Sequence, residues 1–73
     1  MTDSKLLRKH IKDSGLKLYV IAEKMGITRY TLSNKIENVT EFLVSEIEQI
    51  CEILHIDSLE ERDRIFFAKK VDK

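Results

Sequence analysis

The 73-residue chain has no proline, two glycines, five aromatics and 42% hydrophobic residues, which suits one small helical domain and argues against a disordered chain. A core of this size contributes only about 3–5 kcal/mol of net stability, and so short a chain has little room to enclose a substrate pocket. Its 13 basic and 13 acidic side chains cancel to a net charge of zero.

The cancellation hides a polarity. Residues 1–40 carry eight Lys or Arg against four acids, a net +4, and residues 41–73 carry five against nine, a net −4. Such a dipole can present a basic face to a polyanion; chance segregation over a solvated surface accounts for it about as well. The single Cys51 has no partner for a disulfide or a thiolate metal site and points to a reducing compartment. The amino terminus is too charged for a signal peptide, and no apolar run approaches the ~20 residues of a membrane span. A cytoplasmic location is expected, with no membrane partner.

The first predicted helix covers about residues 4–14, with Leu6, Leu7 and Ile11 as its apolar stripe and Thr2, Asp3 or Ser4 as cap. Gly15 ends it. In the second, LYVIAEKM, residues Leu18, Ile21, Ala22 and Met25 fall at i, i+3, i+4 and i+7, and Gly26 stops it. Thr28 then caps a third helix running to Glu37 or Asn38. After the linker NVTEF, Ser45 and Glu48 have capping-box spacing. Ile47, Ile50, Cys51 and Leu54 form the stripe of a fourth helix over about 45–55. Ser58 and Glu61 repeat that spacing and open a fifth, SLEERDRIFF. The terminal RIFFAKKV either continues this helix or runs out extended. These elements predict an all-α fold, a compact bundle of four to five short helices spanning residues 1–73 as one domain.

The third helix raises a functional question. Leu32 and Ile36 share a face that can pack on Ile21 and Met25, across a turn at Gly26 and a small Ala22. Yet Arg29, Tyr30, Ser33 and Asn34 crowd the rest of this short helix. At 100° per residue, Tyr30, Asn34 and Glu37 lie nearly opposite Leu32, Ser33 flanks them, and Arg29 projects from the first turn. Such a face fits the major groove: Arg can bond two acceptors on guanine, Asn the edge of adenine, and Tyr a base, a phosphate or a thymine methyl. Free amides beside Thr28 favour a phosphate.

The segment GLKLYVIAEKMGITRYTLSNKIEN resembles the helix-turn-helix of phage Cro/CI-type (Xre-like) repressors, and TEFLVSEIEQICEIL resembles the linker and fourth helix of short Cro-like regulators from phages of Gram-positive bacteria. The resemblance covers about residues 4–56. It implies a lambda repressor-like DNA-binding domain with its helix-turn-helix at about 17–38 and a recognition helix, 28–38, in the major groove. Arg29, Tyr30, Ser33 and Asn34 correspond to base-reading positions. Lys17, Thr28, Thr31 and Asn38 fall where the family holds phosphates, and Lys35 joins them. The implied partner is double-stranded operator DNA, and the implied role is a repressor in a phage or prophage genetic switch. Two features depart from the pattern. Lys17 and Leu18 stand where many relatives have Thr-Gln, and Lys35 stands where a second apolar residue is common, with Ile36 after it.

Other residues support plainer readings. His10 and His55 lack ligand spacing, the acids after residue 41 sit at surface or capping positions, and no glycine loop cradles a phosphate. No cofactor, metal or catalytic site is expected, and so no enzyme. Of Phe66 and Phe67, one closes the core with Leu59. The other, with Ile65 and Val71, either covers the core elsewhere or forms a homodimer seam within residues 57–73, and the seam is the favoured reading. The rival function is a protein-interaction module that binds and modulates a partner repressor.

Overall fold

The structure, a computed structural model, describes residues 1–69. Five helices form an all-α bundle: α1 (Ser4–Ser14), α2 (Leu18–Met25), α3 (Arg29–Ile36), α4 (Val44–Ile53) and α5 (Leu59–Phe66). There is no strand among the described residues. No described helix is long and apolar enough to cross a membrane. Val71, expected in a seam, lies outside the described residues.

Helix ends follow from local chemistry. Asp3 caps α1 by accepting the Leu6 amide at 3.1 Å, and Thr28 caps α3 by accepting the Thr31 amide at 3.0 Å. Helices α2, α3 and α4 end alike, each on a residue at positive φ: Gly26 at 75°, Asn38 at 66° and His55 at 59°. At each end two amides turn back onto the last carbonyls. Ile27 N–H donates to Ala22 O at 3.0 Å, Val39 N–H to Asn34 O at 2.8 Å, and Ile56 N–H to Cys51 O at 2.8 Å, each beside a shorter-range bond. This is the Schellman arrangement, which satisfies carbonyls that a helix end otherwise leaves open.

The core draws on all five helices: Leu7 and Ile11 from α1, Ile21, Ala22 and Met25 from α2, Leu32 and Ile36 from α3, Ile47, Ile50 and Cys51 from α4, and Ile65 and Phe66 from α5, with Leu54 just after α4. Helix α2 packs on α3 and α4, and α1 packs on α3 and α5. The Phe66 ring meets Phe42 edge-on, with centroids 5.3 Å apart.

Three expectations change. Helix α4 starts earlier than the Ser45/Glu48 spacing suggests, because the Glu46 carboxylate accepts the Leu43 amide at 2.9 Å and fixes the start there. Leu59 does not close the core and is 67% exposed: the buried residues of α5 all lie in its last turn, and the Leu59 side of the first turn faces solvent. Ile65 and Phe66 are core residues, at 0% and 4% exposure, and neither is available to a dimer seam. The ambiguous terminal stretch is helical through Phe66. Beyond it, the Ala68 amide bonds Met1 O at 2.9 Å.

Candidate nucleic-acid interface

Helix α3 is anchored on one side and open on the other. Leu32 and Ile36 are both fully buried, each burial worth about 1.5–3 kcal/mol, and this fixes the rotation of the helix about its axis. Arg29 and Tyr30 are thereby turned to solvent, with Ser33 and Asn34 partly exposed. Tyr30, at 77% exposure, is the most open large apolar-bodied side chain of the described residues. The four residues assigned to base reading therefore lie on one short helix and outside its packed side.

The start of α3 is polar and presented. The Thr28 hydroxyl accepts the Thr31 amide and donates to the Thr31 hydroxyl at 2.9 Å. The Thr31 hydroxyl proton is then free to donate outward. The Arg29 and Tyr30 amides precede the first intrahelical bond, which runs from Leu32 N–H to Thr28 O at 3.0 Å, and so they remain donors at the positive end of the helix. Lys17 occupies the cap position of α2, exposed and without a side-chain cap bond. A cation there is unfavourable against the helix dipole unless an anion joins it.

Two of the assigned phosphate contacts are occupied inside the protein. Lys35 is only 9% exposed. Its ammonium bonds Glu41 O at 3.0 Å and pairs with the Glu46 carboxylate at 3.0 Å. It takes the place of an apolar residue on the inner side of α3, with its charge spent on α4 and the linker. Burial pushes the Glu46 carboxyl up, but the Leu43 amide and the Lys35 ammonium outweigh burial and hold it below its ordinary range. Asn38 uses both side-chain atoms on Thr2: its oxygen accepts the Thr2 amide at 2.9 Å and its nitrogen donates to Thr2 O at 2.8 Å.

Charge pairing thins the basic half. Arg8 pairs with Glu37, and Lys9 pairs with Asp13 at 3.1 Å. Among the described residues Lys5, Lys12, Lys17, Lys24 and Arg29 have no carboxylate partner. On the opposite side of α1, His10 meets Glu61 at 2.7 Å. That bond, with help from Arg64, holds the Glu61 carboxyl below its ordinary range. Cys51 is buried, and burial pushes its thiol up, as befits an inert core position.

One exposed residue near this surface was not singled out from the sequence. Tyr19 lies in the first turn of α2, 56% exposed, two residues after Lys17. Its position off the Leu18, Ile21, Ala22, Met25 stripe was the available signal.

No family model, curated protein or solved structure matches the chain.

Proposed function

We propose that this protein is a sequence-specific DNA-binding regulator in which α2 and α3 act as a helix-turn-helix and α3 enters the major groove. The carrying observation is the division of α3: Leu32 and Ile36 wholly buried, Arg29 and Tyr30 exposed. The exposed side presents a guanidinium, a phenol, a hydroxyl and an amide, the groups that bond base edges. In this reading Arg29, Tyr30, Ser33 and Asn34 meet base edges, while Lys17, Thr28 and Thr31 hold phosphates. The family resemblance extends the proposal to a Cro/CI-like repressor at a phage or prophage operator. A homodimer, if formed through the carboxyl-terminal segment, uses Phe67, which is 54% exposed.

The test is selection of duplexes from a randomised library, followed by anisotropy titration at several salt concentrations. A single enriched motif, bound at least ~10³-fold more tightly than random duplex and weakening steeply with salt, supports the reading. Uniform weak binding to every duplex contradicts it.

A second reading has its own observation. Val39, Leu43 and Val44, just beyond α3, are 68%, 61% and 69% exposed, an apolar group that suits a protein partner such as a repressor to be modulated. Under that reading the library yields no motif, and Leu43→Ser abolishes capture of the partner.

A further inference from the structure

The carboxyl-terminal end of α3 is fastened by more polar contacts than its amino-terminal end, and none uses Arg29, Tyr30, Ser33 or the Asn34 side chain. The Ser4 hydroxyl donates to Ile36 O at 2.5 Å, Arg8 pairs with Glu37, and Lys35 reaches Glu41 O and Glu46. Asn38 adds the most specific of these contacts. Its backbone sits at φ 66°, a region costly for most side chains and tolerated by Asn. That conformation completes the helix stop, while the side chain grips both backbone polar groups of Thr2. Thr2 is itself 7% exposed.

The gripped segment does not end there. The Asp3 amide donates to Ile65 O at 2.6 Å and the Ala68 amide to Met1 O at 2.9 Å. Residues 1–3 therefore form a strap that joins the end of α3 to the end of α5, with Asn38 as its buckle on the α3 side.

We infer that Asn38 is a positioning residue for base selection: it sets the placement of α3 through the Met1–Asp3 strap instead of holding a phosphate. This rests on the DNA-reading role proposed above. The oxygen and one amide proton are spent on Thr2 and the other proton points toward the Ser4 hydroxyl at 3.5 Å, so the strap fixes the orientation of the side chain without a phosphate. Tilting α3 about its buried Leu32 and Ile36 moves the base-reading side chains, whereas a lost phosphate contact leaves them in place. The two roles therefore leave different signatures in DNA binding.

The experiment compares wild type, Asn38→Gly and Asn38→Asp on a duplex enriched from the randomised library and on its scrambled version. Asn38→Gly keeps the positive φ without strain and removes both bonds to Thr2. Asn38→Asp keeps the acceptor for the Thr2 amide and adds a negative charge. Melting curves set a measuring temperature at which all three are folded, and amide exchange of Thr2 and Asn34 is followed by NMR.

Positioning predicts that Asn38→Gly lowers the enriched-to-scrambled affinity ratio by about three- to tenfold, the equivalent of one ordinary hydrogen bond, with the salt slope unchanged. Thr2 exchange accelerates, and Asn38→Asp, which sets a carboxylate oxygen against Thr2 O where the amide nitrogen donated, lowers the ratio at least as far as Asn38→Gly. A phosphate contact predicts a salt slope smaller by about one phosphate, an unchanged ratio, and Asn38→Asp as the worst binder through repulsion. That pattern overturns the positioning role and leaves the DNA-reading role standing. If wild type enriches no motif at all, both fall together.

Discussion

Lys35 supports a prediction that bears on both folding and the proposed DNA binding. Lys35→Ala removes the ammonium that pairs with Glu46 and bonds Glu41 O, each at 3.0 Å. The two side chains are 11% and 13% exposed, so the pair is far from the solvent-screened case worth 0–1 kcal/mol, and close to the buried case, where losing one partner costs roughly 3–5 kcal/mol. Glu46 keeps the Leu43 amide, which limits the damage. A loss of about 2–3 kcal/mol is expected, a large share of the stability of so small a domain.

Urea denaturation followed by circular dichroism measures that loss. Lys35→Met with Glu46→Gln, which removes both charges, should recover most of it. Acid supplies a second check. The Glu46 carboxyl titrates below its ordinary 4.5 in the folded protein, so its stabilisation is present above the unfolded value and is lost as pH falls through the folded one. Lys35→Ala should therefore narrow the gap to wild type as pH drops below about 4.5. If Lys35→Ala proves as stable as wild type while reducing the salt slope of DNA binding by about one phosphate, the internal pairing is wrong and Lys35 faces DNA.

Three further outcomes are expected. Gly26→Ala meets no atom within 4 Å of an added Cβ but sits at φ 75°, so a purely conformational loss of about 1–2 kcal/mol should appear in denaturation. Leu32→Ala empties a fully buried position and should cost about 2–5 kcal/mol, abolishing the proposed DNA binding by unfolding, as a parallel melting curve would show. Phe67→Ala, at a 54% exposed site, should leave the melting temperature nearly unchanged, whereas Phe66→Ala, at a 4% exposed site, should lower stability by about 3–5 kcal/mol. Sedimentation of Phe67→Ala at high concentration then reports whether a dimer depends on that ring.

Local signals in the sequence carried most of the helix assignments. Helix α2 was readable to its ends because its stripe is regular and Gly26 terminates it; Thr28 announced α3 by short-range chemistry, while Thr2, Asp3 and Ser4 were equal candidates for the α1 cap that Asp3 supplies. The inner and outer sides of α3 followed from the spacing of Leu32 and Ile36. What escaped depended on distant partners. Nothing near Lys35 says that Glu46, on another helix, will neutralise it, so a lysine on a helix with a polar outer face reads as a surface cation. Asn38 looks equally free until Thr2 arrives from the other end of the chain. Leu59 has the spacing to share a face with Phe66, but only the last turn of α5 reaches the core. Its exposure follows from where α5 leaves the bundle, which helical periodicity does not encode.

The most direct measurement is the affinity of Arg29→Ala for the enriched duplex and for each single-base variant of it. Arg29 is exposed in the first turn of α3, with no carboxylate partner among the described residues, so its removal should leave the melting curve unchanged. The account predicts a loss of about 1–3 kcal/mol on the enriched duplex, with preference relaxed at one base pair and retained at the others. A folded Arg29→Ala that keeps both affinity and base preference would contradict the account and give precedence to the protein-interaction reading.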